Sequence, residues 1–76
     1  MAVLDLHSEV SGVVWRVVAS PGDVLAEDDT VLLIESMKME VPVAAPEDCR
    51  LLEVTVQPEQ MVKEGELVAR LEIGQS

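Results

Sequence analysis

The sequence predicts an all-β protein, two packed antiparallel sheets built from about eight short strands. Three observations point there. The chain is 49% hydrophobic with fourteen Val, no Phe or Tyr and one Trp, so its core must be assembled from aliphatic β-formers. Apolar stretches of strand length alternate with Pro, Gly and acidic clusters that read as turns. Finally, the chain superimposes on itself when slid by 37 positions: Gly12 to Glu35 falls on Cys49 to Glu72, matching Val17 with Val54, Pro21 with Pro58, Glu27 with Glu64, Val31 with Val68 and Glu35 with Glu72. The apolar pairs Val14 with Leu51, Leu25 with Val62 and Ile34 with Leu71 keep the same offset.

In chain order, Val3 to Leu6 forms a first strand and Gly12 to Val18 a second. Pro21-Gly22-Asp23 turns the chain into the short pair Val24-Leu25, and the polar bend Glu27-Asp28-Asp29 leads to Val31 to Glu35. The second half repeats this plan. Glu40 to Val43 and Leu51 to Val56 are followed by Pro58-Glu59-Gln60, the short pair Met61-Val62, the bend Lys63-Glu64-Gly65 and Leu67 to Ile73. A sandwich with quasi-twofold symmetry lets one four-strand plan serve both halves, and 76 residues suffice for one domain, 1–76.

Between the halves lies Val31-Leu32-Leu33-Ile34-Glu35-Ser36-Met37-Lys38-Met39-Glu40-Val41-Pro42-Val43, which folds back on itself by pattern. With Met37 and Lys38 as a two-residue turn, Ser36 faces Met39, Glu35 faces Glu40, Ile34 faces Val41 and Leu32 faces Val43. Two-residue turns favour Asn, Asp or Gly, whereas Met and Lys tolerate positive φ poorly. Something other than turn propensity selected these residues. A lysine at such a tip holds its ammonium in solvent, where another protein can grasp it without unfolding the domain. An exposed lysine is almost wholly protonated at neutral pH and a poor nucleophile, so self-catalysed chemistry is not expected. The site suits covalent attachment by an enzyme that removes the proton and supplies an activated acyl group.

Composition excludes other classes. Fifteen acidic against five basic residues leave a net charge of -10, which repels nucleic-acid backbones and anionic membrane surfaces. A single Cys49 can form no internal disulfide, and there is no N-terminal apolar stretch or run of membrane-spanning length, so a cytoplasmic protein is expected. One His and one Cys leave few nucleophile and base combinations, so no catalytic residues and no metal ligands are assigned. His7 is read as a strand-end surface residue, Trp15 as partly buried packing, Cys49 as an unpaired turn residue and Lys63 as part of an ordinary polar turn.

Glu35-Ser36-Met37-Lys38-Met39-Glu40 resembles the attachment sequence of biotinyl domains, whose usual form is Glu-Ala-Met-Lys-Met. The resemblance runs from Val10 to Ile73 and includes Pro21-Gly22-Asp23, Pro42, Ala45-Pro46 and Gly65. It implies the biotinyl/lipoyl carrier fold, a flattened barrel (barrel-sandwich hybrid) of two four-stranded sheets, without the thumb insertion of some acetyl-CoA carboxylase carriers. It also implies biotin amide-linked to Lys38. The implied role is a biotin carboxyl carrier, not catalytic alone, that shuttles a carboxyl group from a biotin carboxylase to a carboxyltransferase, with an acyl-CoA favoured as acceptor and urea or pyruvate left open, because the carrier itself is not expected to bind it. Biotin protein ligase is the implied modifying partner, with Met37 and Met39 as flanking recognition residues and Glu35 and Glu40 as electrostatic ones. Family members have Gly at the positions of Asp28, Cys49 and Glu59, so a change of turn type is expected at those bends. Met1 at the start and the lack of a Pro/Ala-rich linker lead to the expectation of a small freestanding carrier served by separate enzymes. Two alternatives stand beside this reading. A lipoyl-type carrier typically has Asp-Lys-Ala at the modified lysine, and an unmodified interaction module would not require the Met-Lys-Met tip.

Overall fold

The computed structural model describes residues 2–74. Its eight strands are β1 (Ala2–His7), β2 (Gly12–Val17), β3 (Val24–Leu25), β4 (Thr30–Ser36), β5 (Met39–Ala44), β6 (Cys49–Val54), β7 (Met61–Val62) and β8 (Leu67–Ile73). They form two antiparallel four-stranded sheets, ordered β1-β8-β6-β3 and β5-β4-β2-β7, called here sheets A and B. The expected all-β flattened barrel is what the chain adopts, and its extents are 40 × 17 × 16 Å.

The 37-residue offset holds in three dimensions. Each of the first four strands has bounds that differ by 37 from those of its counterpart among the last four, so β1, β2, β3 and β4 map onto β5, β6, β7 and β8. Irregularities repeat as well. The β2·β4 ladder shifts register between Val14 and Arg16, and the β6·β8 ladder shifts between Leu51 and Glu53. A bulge leaves one residue unpaired in the ladder, here Trp15 in one half and Leu52 in the other.

The loops that cross between sheets are fixed by backbone bonds that also come in pairs. Gly22 N–H donates to the Leu51 carbonyl at 2.7 Å and Glu59 N–H to the Val14 carbonyl at 2.6 Å. Asp28 N–H donates to Ala45 at 2.8 Å and Gly65 N–H to Ser8 at 2.7 Å. All four donors have positive φ: 95° at Gly22, 72° at Glu59, 76° at Asp28 and 88° at Gly65. The expected change of turn type at Asp28 and Glu59 is therefore corrected: both keep the left-handed conformation, with their N–H groups bonded across to the Ala45 and Val14 carbonyls. Cys49 is corrected differently. It is the first residue of β6, not a turn residue, and its backbone is not left-handed.

The core fills the space between the sheets with aliphatic side chains, the largest fully buried being Leu32, Ile34, Leu51 and Leu71. Cys49 joins them at 2% exposure, with its thiol pKa raised by burial first and then by Asp48, Glu47 and Asp29. That keeps it protonated and unreactive. Ser8, the buried polar residue of the core, donates from Oγ to the Val10 carbonyl at 2.6 Å. Trp15, next to the buried Val14, lies on the outer face of β2 and is 48% exposed, so it is partly covered but not part of the core. His7 ends β1 on the surface, as expected.

One position tolerates no side chain. A Cβ on Gly12 would collide with the Glu35 carbonyl oxygen and come within 2.9 Å of Ile34 Cγ2, so β2 and β4 approach closely beneath the hairpin. Gly12→Ala is expected to lower stability by about 1–3 kcal/mol in guanidinium unfolding. Glu59→Gly, which removes a left-handed side chain, is expected to raise it by about 1 kcal/mol in the same measurement.

Candidate functional site

The site is built on the hairpin of β4 and β5. Ser36 pairs with Met39, Glu35 with Glu40, Ile34 with Val41, Leu33 with Pro42 and Leu32 with Val43, the register expected from the sequence. Alternate side chains of β4 enter the core: Leu32 and Ile34 are fully buried, while Glu35 faces solvent. A one-residue slip would drive Glu35 inward and Ile34 outward, so burial locks the register. β4 is flanked on both sides, by β2 through Val13↔Glu35 and Val14↔Ile34 and by β5. β5 is an edge strand, which lets Pro42 sit in it without an unmade ladder bond.

At the tip, Met37 and Lys38 have φ of 53° and 65°. Two consecutive left-handed residues match the right-handed twist of the flanking strands, the geometry that tight hairpins demand. Each non-glycine there costs of order 1 kcal/mol or more. The quasi-equivalent of Met37 is Gly74, at φ 90°, so the other half fills this position with the residue suited to it.

The side chains at the tip are held away from the body of the protein. Met37 is 92% exposed and Met39 66%, and Lys38 and Glu40 are exposed as well. Lys38 forms no ion pair among the described residues, where the cation that does is Arg70. The structure thus brings Glu35, Met37, Lys38, Met39 and Glu40 together on one rigid hairpin with an accessible primary amine. Glu35 and Glu40 lie directly opposite each other, a like-charge pair that destabilises the hairpin slightly. Lys63 is also exposed, but it lies in the bend after β7. Among the described residues no group of three or more His, Cys, Asp or Glu is placed to hold a metal, and no helix is long and apolar enough to cross a membrane.

Sequence reasoning did not single out Gly12, although its carbonyl-crowded position supports the hairpin from below. The available signal was its match in the repeat to Cys49, another small residue. Nor did it identify the register shift between Val14 and Arg16, because a bulge leaves no mark in an alternating pattern.

Comparison with known proteins gives one family model, described as biotin-requiring enzyme (biotin/lipoyl), matching residues 5–71. The chain is 37% identical over 65 residues to the biotinylated protein TB7.3 homolog of Mycobacterium leprae, covering 86% of this chain and 92% of that protein. It is 36% identical over 67 residues to urea amidolyase of Saccharomyces cerevisiae, covering 88% of this chain but 4% of that much longer protein. Among solved structures it is similar to the urea carboxylase of Kluyveromyces lactis, with TM-score 0.89, 34% identity, and coverage of 93% of this chain and 6% of that one.

If the tip is retained for something other than turn stability, relieving its backbone must stabilise the protein. Met37→Gly is expected to raise the unfolding free energy by about 1 kcal/mol with the cross-strand contacts of Ile34 and Val41 unchanged by NMR.

Proposed function

Because the chain belongs to the biotin/lipoyl family of biotin-requiring enzymes, we propose that it is a biotin carboxyl carrier whose cofactor is joined by an amide bond to Lys38. The observation that carries this reading is the tip: Met37 and Lys38 occupy two left-handed positions that favour glycine, and their side chains point into solvent. An amine held there fits amide formation, since Lys38 is exposed and makes no ion pair among the described residues.

Held on Lys38, biotin would supply a ring able to accept a carboxyl group at a biotin carboxylase and release it at a carboxyltransferase. The chain's own residues do the holding. The β4·β5 register, pinned by Ile34 and Leu32 in the core, keeps Lys38 at one end of a rigid body so that the tether and not the fold supplies the motion. Tethering raises the effective concentration at both enzyme sites. Met37 and Met39 offer soft apolar contacts to a partner, and Glu35 and Glu40 mark the hairpin for a basic surface. Loss of the ammonium proton and activation of the acyl group fall to a biotin protein ligase. The acceptor, read as an acyl-CoA, binds the transferase and not this chain.

The test is the intact mass of the protein from biotin-replete cells of its native host, with peptide mapping of Lys38 and Lys63. One biotinyl group on Lys38 is expected, abolished by Lys38→Arg and kept in Lys63→Arg. A lipoyl group would replace the carboxyl chemistry with acyl or aminomethyl transfer, and an unmodified Lys38 would overturn the carrier reading.

A further inference from the structure

The quasi-twofold symmetry makes the solvent face of each sheet a control for the other. On sheet A the charges are matched. Arg70 lies in register between Asp5 and Glu53 and pairs with both, at 3.4 and 3.7 Å, and the neighbouring row runs Val3, Glu72, Arg50, Val24, so that Glu72 faces an arginine. Displaced by 37 residues, the same two rows on sheet B read Pro42, Leu33, Arg16 and Glu40, Glu35, Val13, Met61. The ion triad has become a mostly apolar row, and Glu35 faces another glutamate. Met61, which ends the second row, is 77% exposed, and Trp15 beside these rows is 48% exposed.

Unrelieved like charges and an exposed aromatic on one face are both satisfied by one event, contact with a protein surface that offers cations and an apolar recess. The same face continues directly into the hairpin that presents Lys38. Before modification that lysine carries no arm. An enzyme that acylates it must bring the reacting carbonyl to about 3–3.5 Å from the amine, which forces protein contact onto the body of the domain. Enzymes met later reach the tip across the length of the attached cofactor.

We propose that the outer face of sheet B, centred on Trp15, Leu33 and Met61 and bordered by Glu35 and Glu40, is the docking surface for the biotin ligase that acylates Lys38. The ligase meets it with an apolar recess ringed by lysine or arginine side chains. This rests on the function proposed above.

The experiment compares symmetry-matched variants as substrates of purified biotin ligase with biotin and ATP, reading incorporation by mass against concentration of the carrier chain. Trp15→Ser and Met61→Ser are set against their counterparts on sheet A, Leu52→Ser and Val24→Ser, with folding checked by circular dichroism. Trp15→Ser is expected to raise KM for the carrier about tenfold or more with kcat little changed, and Met61→Ser, on an exposed edge strand, to raise it several-fold. The sheet A variants should behave as the unaltered chain. Glu35→Gln with Glu40→Gln should flatten the rise of KM with salt. Normal acylation of Lys38 with KM unchanged in both sheet B variants, or raised equally in the sheet A pair, overturns the docking surface alone. An unaltered chain that takes no biotin on Lys38 overturns docking and carrier function together.

Discussion

The fold depends on how the chain crosses between its two sheets. Every connection between consecutive strands passes from one sheet to the other, with a single exception, and the crossings around β3 and β7 are fixed by N–H groups of left-handed residues bonded to strand carbonyls. Each of these residues is the third of a four-residue turn closed by its own backbone bond, where positive φ is favoured, and its N–H is left to bond a carbonyl distant in sequence. Gly22 and Gly65 do this without strain, while Asp28 and Glu59 do it with a side chain attached. Because the same bonds recur at the 37-residue offset, one geometric solution closes both ends of the barrel.

The exception is the β4·β5 hairpin. It is the connection that stays within its sheet, and it therefore extends past the barrel instead of folding over its end. Its first strand, β4, is nonetheless firmly held between β5 and β2, with Leu32 and Ile34 wholly buried and Gly12 drawn close beneath the Glu35 carbonyl. A stiff root and an uncovered tip are what a tethered carrier requires, since orientation comes from the protein and reach from the arm. Strained backbone at Met37 and Lys38 is retained where the requirement lies outside the fold.

Much of this was legible in the sequence because it is written in residue types with strong local meaning. Pro21 and Pro58, the acidic bends and the aliphatic pairs disclosed the repeat, and Ile34 with Val41 disclosed the hairpin register. The proposed attachment lysine stood out by its flanking methionines and its position between the halves. What was hidden depended on contacts distant in sequence. The register shift at Trp15, which puts both Trp15 and Arg16 among the exposed residues, leaves no mark in the sequence. Cys49 follows a turn-like stretch and reads as part of it, yet it begins β6 and is buried. Gly12 looks like an ordinary strand-opening glycine, and only the approach of β4 gives it a reason.

The interleaving of the halves places Lys38 in an unusual position. Within the first half β2 pairs with β4, and within the second β6 pairs with β8, but every other ladder joins a strand of one half to a strand of the other. Neither half can complete a sheet by itself; each is half of an interlocked dimer made covalent. The link that makes it covalent is the two-residue turn, so the lysine proposed to carry the cofactor stands in the joint between the two units. In that joint the chain needs only to be continuous and short, which leaves its side chains free to serve whatever docks from outside.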